Sequence, residues 1–123
     1  MAHVKIGEKT VNTFGNLPPE GSTAPDFILV TPDLKEITQN EYAGKNMLMN
    51  IFPSIDTSVC AKSVREFNKR AASMEDTVVL CISKDLPFAH RRFCAAEGID
   101  KVVSLSDFRN KGFSNAYGVV MTD

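Results

Sequence analysis

The chain has 123 residues, room for one domain with a real hydrophobic core but hardly for two. Its 43% hydrophobic and 24% charged composition is ordinary for a globular protein, and a net charge of −1 without a basic stripe argues against phosphate-dominated nucleic-acid binding. No apolar run approaches the roughly 18 residues that span a bilayer, no secretory h-region opens the chain, and three cysteines are too few for a disulfide scaffold, so a cytoplasmic single domain over 1–123 is expected.

The opening HVKIGEKTVNT sets Val4, Ile6 and Thr10-Val11 around Gly7-Glu8, the pattern of a β-hairpin. NLPPEGSTAPD is a connecting loop, and FILVT (27–31) a short strand ended by Pro32-Asp33. LKEIT reads as a return strand and QNEYAG as a helical turn closed by Gly44. NMLMNIF (46–52) is a mostly apolar run of strand length, expected to be buried on both faces. Cys60, Val64, Phe67, Ala71 and Met74 then recur at steps of four, three, four and three, one face of a helix. TVVLCIS (77–83) is a second buried strand. Asp85 is placed to N-cap the helix LPFAHRRFCAAEG, with Pro87 in its first turn and Gly98 just past its end. VVSLS (102–106) is a third strand, and the segment after it is mixed, with helical character before Gly118.

Strand, helix, strand, helix, strand predicts an α/β fold with a parallel sheet, whose functional crevice lies at the carboxyl ends of the strands. The loop FPSIDTSVC follows NMLMNIF and falls at that edge. Cys60 is there in the first turn of a helix, where unpaired N–H groups and the positive end of the dipole favour a thiolate. Thr57, three residues earlier, is placed to cap the helix or set a hydroxyl beside the sulfur. The bland alternative, Cys60 as the first apolar contact of its helix, stays open on local pattern alone. Cys81 lies inside a core strand and reads as buried filler. Cys94 sits off-centre from the face marked by Ala89, Phe93 and Ala96, which suggests partial exposure. Thr57-Ser58-Val59-Cys60 has the spacing of the dithiol motif C-x-x-C with threonine in first place, which argues against a thioredoxin-type reductase. His90 and Cys94 share a spacing suited to metal ligands, but no C-x2-C pair accompanies them, and His90 beside Arg91 and Arg92 reads as solvated, so no metal site is expected.

The stretches NIFPSIDTSVCAKSVREFN, VVLCISKDLPFAHRRFCAAEG and LSDFRNKGFSNAYGV, with GSTAPDFILV before them, closely resemble the bacterial thiol peroxidases, atypical two-cysteine peroxiredoxins. The resemblance implies a thioredoxin-like fold with an N-terminal hairpin and a homodimer. It implies reduction of hydrogen peroxide and organic hydroperoxides, with thioredoxin as reductant and no cofactor. By position it makes Cys60 the peroxidatic cysteine, Thr57 and Pro53 members of its P-x-x-x-T-x-x-C motif, and Cys94 the resolving cysteine. Cys81 matches a non-catalytic position. A Cys60–Cys94 disulfide needs Cα atoms within about 7 Å, so local unwinding around both is expected in turnover.

In the family a catalytic arginine follows YGV on a further strand, beyond the residues of this chain, and Arg109 matches a different position. A thioredoxin-like sheet also carries a final hairpin and helix beside NMLMNIF. Without those C-terminal strands and helix the apolar run becomes an exposed edge, and the expectation is a piece of a longer protein. The rival readings are a peroxide-sensing thiol protein that relays oxidation to a partner, and a non-catalytic fragment.

Overall fold

The computed structural model describes residues 2–109 and 112–122. They form two compact units, one of residues 2–28 with 112–122 and the other of residues 29–109.

In the first unit, β1 (His3–Ile6) and β2 (Lys9–Phe14) make the expected antiparallel hairpin, with Val4 opposite Val11. Gly7 supplies the positive φ of the turn. The other edge of β2 pairs with β8 (Val120–Met121), a two-residue strand that the sequence did not announce. The expected helical character before Gly118 is α3 (Gly112–Ala116). Phe113 is the centre of a small aromatic core: Phe27 meets it edge-on with ring centroids 5.9 Å apart, and Tyr117 stacks on it at 4.5 Å. The Tyr117 hydroxyl donates to the Pro25 carbonyl at 2.8 Å, which satisfies the polar tip of an otherwise buried ring. Gly118 has a φ of +65°, and a Cβ there would lie 2.1 Å from the Asn16 carbonyl oxygen, so the two backbones touch where no side chain fits.

The second unit holds a five-stranded sheet in the order β4 (Glu36–Thr38), β3 (Ile28–Val30), β7 (Val103–Ser106), β6 (Thr77–Ser83), β5 (Asn46–Ile51). Strands β5, β6 and β7 are parallel, and β3 runs antiparallel to β7. A single 3-10 turn (Gln39–Tyr42) precedes β5 where a helical turn was expected. The crossover helices are α1 (Ser58–Ala71) and α2 (Pro87–Glu97). Strand β6 is the spine: Leu80, Cys81 and Ile82 are essentially inaccessible, as its unbroken apolar run requires.

Helix α1 lays Cys60, Val64, Phe67 and Ala71 on a core of Phe52, Ile55, Val79 and Cys81, the face its periodicity indicates. Two expectations need correction. Strand β5 is not buried on both faces as its apolar run suggests; it is the edge of the sheet, as expected without further C-terminal strands, and Leu48 and Ile51 stay more than a third exposed. Among the described residues no strand pairs with its outer edge. Asp85 does not cap α2; the N-cap is Leu86, without a side-chain cap bond, because the Asp85 carboxylate is engaged elsewhere. Gly98 does close the helix, in the left-handed conformation at φ +67°.

Candidate active site

The loop from Phe52 to Thr57 connects β5 to α1 at the carboxyl edge of the parallel strands. The Phe52 amide extends the sheet ladder onto the Ile82 carbonyl at 3.0 Å. Pro53, with no N–H, ends the ladder there. The loop then folds on itself around Ser54. The amides of Asp56 and Thr57 donate to the Ser54 hydroxyl (3.1 Å) and carbonyl (3.2 Å) respectively.

Thr57 is the N-cap residue of α1 by backbone position, with φ −92° and ψ 145°. Its hydroxyl does not bond a helix amide; it donates backwards to the Ser54 carbonyl at 3.1 Å. Thr57 therefore fixes the loop's entry into the helix, and the first-turn amides keep no side-chain cap. Cys60 is the third residue of α1, half-buried, with one side against the Phe52–Ile55–Val64 core. Its carbonyl accepts from the Ser63 hydroxyl at 2.7 Å, and Ser63 accepts in turn from the Asn50 amide at 3.1 Å, which ties the first turn of α1 to β5.

Cys94 lies seven residues into α2 and is half-buried, its Sγ 3.3 Å from the Ser104 hydroxyl on β7. Partial exposure holds, but the reason differs from the expected one. The buried residues of α2 are Pro87 and His90, and half-buried Cys94 follows His90 one turn on with its sulfur against β7, so Cys94 is on the inner face. His90 is the second correction on this helix. It is 1% exposed rather than solvated, its Nε2 2.9 Å from the Ser83 hydroxyl. Burial disfavours the imidazolium and lowers its pKa, and the neighbouring Asp85 carboxylate offsets part of that shift.

Cys81 is fully buried, and burial pushes its thiol up to about 11, with the Asn50 amide at 3.8 Å partly opposing and Cys94 adding to the rise. A thiol so held is inert at neutral pH. All three cysteines are free thiols. Between α1 and α2 runs an open groove of about 440 Å³, with Thr57, Ala61 and Phe93 on its walls. Arg65 lies over the Phe93 ring at 5.6 Å and pairs with Glu97, and Arg92 faces Asp56 at 3.5 Å, so ion pairs cross between the loop and helix of Cys60 and the helix of Cys94. Among the described residues no group of three or more His, Cys, Asp or Glu side chains is arranged to hold a metal ion. Nor is any described helix long and apolar enough to cross a membrane.

The redoxin family model matches residues 19–123. The thiol peroxidase of Mycobacterium tuberculosis (strain H37Rv) is 50% identical over all 123 residues, which cover 73% of that protein, and the Mycobacterium bovis thiol peroxidase matches to the same extent. This chain belongs to the redoxin family, among its thiol peroxidases. Solved redoxin structures agree. A peroxiredoxin-like protein from Aquifex aeolicus superposes with a TM-score of 0.86 at 34% identity, covering 98% of this chain and 70% of that one. The thiol peroxidase of Chromobacterium violaceum gives 0.84 with the same coverages, and at 22% identity it speaks for the fold alone. The fold is the thioredoxin-like α/β arrangement of the peroxiredoxins, and this redoxin chain spans about seven-tenths of the length of these relatives.

Sequence reasoning missed Ser54, Ser83, Asp85 and His90 as a connected set. Asp85 was visible only as a helix cap, and His90 only as a neighbour of two arginines that shares a metal-ligand spacing with Cys94. The one available signal was position: Ser83-Lys84-Asp85 follows a buried strand at the same sheet edge as the Cys60 loop.

Proposed function

We propose that this chain reduces hydroperoxides with Cys60 as the attacking thiol and Cys94 as the resolving one. The observation that carries the reading is the setting of Cys60: first turn of α1, half-exposed, at the carboxyl edge of a parallel sheet, after a loop stiffened by Pro53 and closed by Thr57. The Cys60 thiolate attacks the terminal oxygen of ROOH; an S–O bond forms, the O–O bond breaks, and RO⁻ leaves and takes a proton as ROH. Sulfur is oxidised and the peroxide reduced, leaving Cys60 as sulfenic acid. The first-turn amides and the Thr57 hydroxyl, once it turns from the Ser54 carbonyl, steady the peroxide oxygens as charge moves onto the leaving one. Cys94–SH then condenses with Cys60–SOH, releasing water and closing a disulfide. Thioredoxin in the cytoplasm returns both thiols by exchange, and the working form is a homodimer.

Helices α1 and α2 hold these cysteines in separate settings, Cys94 against Ser104 and Cys60 against the core. We infer that closure unwinds the chain locally around both cysteines. The test is the intact mass under non-reducing conditions, before and after one equivalent of an organic hydroperoxide. Loss of two hydrogens supports the assignment, and Cys60→Ser should abolish it. Gain of one oxygen would make the chain a peroxide sensor that cannot resolve itself. An unchanged mass would leave a motif without activity.

A further inference from the structure

The residues of that scheme leave out a group lying between the two thiol-bearing segments. Asp85 stands one residue before the N-cap of α2. Its Oδ1 accepts from the Ser54 hydroxyl at 2.7 Å, and its Oδ2 accepts from the Ile55 amide at 2.7 Å and the Ser83 hydroxyl at 2.6 Å. The backbone of Asp85 is itself anchored to the sheet. Its amide donates to Ser83 Oγ at 3.2 Å, and its carbonyl accepts from Ser106 Oγ. The carboxylate is thus presented from a fixed base.

The loop before Cys60 has the opposite character. Its internal bonds converge on Ser54: Asp56 N–H, Thr57 N–H and the Thr57 hydroxyl all end there. From Pro53 to Asp56, among the described residues, the hydrogen bonds that tie the loop to the neighbouring strand–helix junction run to Asp85, apart from the exposed Arg92–Asp56 pair at 3.5 Å. Ile55 is 3% exposed, so the alternative to Asp85 for its amide is an unpaired donor away from water. One carboxylate thus gathers the polar anchors of the middle of the loop, while Phe52 and Ile55 hold it through the core.

We propose that Asp85 is a positioning residue shared by both half-reactions: bound to Ser54 and Ile55 it keeps the Cys60 loop in the geometry that receives peroxide, and releasing them frees the loop to close on Cys94. The inference rests on the assignment of Cys60 and Cys94 above. It makes attack and closure antagonistic, because the bonds that order the loop for the first step must break for the second. Burial opposes a charge on Asp85, but the donors Ser83, Ile55 N–H and Ser54, with His90 nearby, keep its pKa below the ordinary carboxylate value, which suits a clasp built on ionised oxygens.

Single-turnover kinetics on wild type, Asp85→Ala and Ser54→Ala separate the steps, with attack read as a second-order rate in cumene hydroperoxide and closure as the first-order rate of disulfide formation by quenched mass analysis. Asp85→Ala should slow attack by roughly tenfold or more, as loss of positioning does, while closure becomes faster. Ser54→Ala, which removes the hydroxyl's bond to Asp85 and its bond from the Asp56 amide and buries no charge, should shift both rates the same way by less, and serves if Asp85→Ala does not fold. Faster closure would also leave less Cys60 over-oxidised to sulfinic acid at high peroxide. Variants that match wild type, or that are slowed in both steps, overturn the inference while a closing wild type preserves the peroxidase assignment. A wild type that never closes overturns both.

Discussion

One hydroxyl proton decides the state of His90. Ser83 Oγ sits 2.6 Å from an Asp85 oxygen, 3.2 Å from the Asp85 amide and 2.9 Å from His90 Nε2. A carboxylate only accepts, so the serine gives its proton to Asp85 and receives from both nitrogens. His90 therefore carries a proton on Nε2. Because burial holds its pKa below the ordinary 6.5, the unfolded chain binds a proton more readily than the fold does. The resulting stability is present in full above pH 6.5, erodes as pH falls from there through the lower folded value, and levels off beneath it. Asp85 adds a separate loss only below its ordinary 3.8. Urea unfolding at pH 7.5, 6 and 5 should show stability falling over that range. In His90→Gln, whose amide still donates to Ser83 without titrating, the fall should be much smaller.

At the scale of elements, the helices follow from local rules and can be tested by them. Gly98 ends α2 at φ +67°, and a Cβ placed on it meets nothing within 4 Å. Gly98→Ala should therefore cost only the left-handed backbone penalty, about 1 kcal/mol, with a midpoint roughly 3–6 °C lower in thermal unfolding and the cysteine chemistry unchanged. The face of α1, the glycine stop of α2, the hairpin of β1 and β2, and the buried strand β6 were legible because each is written in a few neighbouring residues. The two-residue β8 was not, since its pairing with β2 rather than its own composition makes it a strand. The apolar run of β5 misled by itself for a related reason, and only the expected sheet order made it an exposed edge: an apolar run states a capacity for burial, while sheet order decides whether neighbours supply it. Asp85 shows the same limit at the site. A carboxylate before a helix looks like a cap, and only the fold brings Ser54 and Ile55, about thirty residues earlier, into its reach. The roles proposed for Cys60, Thr57 and Cys94 rest on family resemblance more than on local pattern.

At the scale of all the described residues, the open side of β5 is the exposed liability. Leu48, 37% exposed, stands on a strand whose outer edge has no strand partner among the described residues, a template for association between chains. Leu48→Lys should reduce light scattering on heating, compared with wild type at equal fraction unfolded, because a charge on an edge strand obstructs edge-to-edge pairing.

The strand pairing of the first unit also has a consequence in time. The Thr122 hydroxyl and amide both bond the Asn12 carbonyl, 110 residues earlier in the chain. During synthesis at about 5–20 residues per second, β2 leaves the ribosome some 5–20 s before its partner strand exists. Within residues 29–109, β5 and β6 pair soon after they emerge and β3 waits for β7, while Phe27 waits longer, for Phe113, with its ring uncovered. The nascent chain thus carries an unfinished first layer behind it for most of its birth, and that interval is when a chaperone would find it.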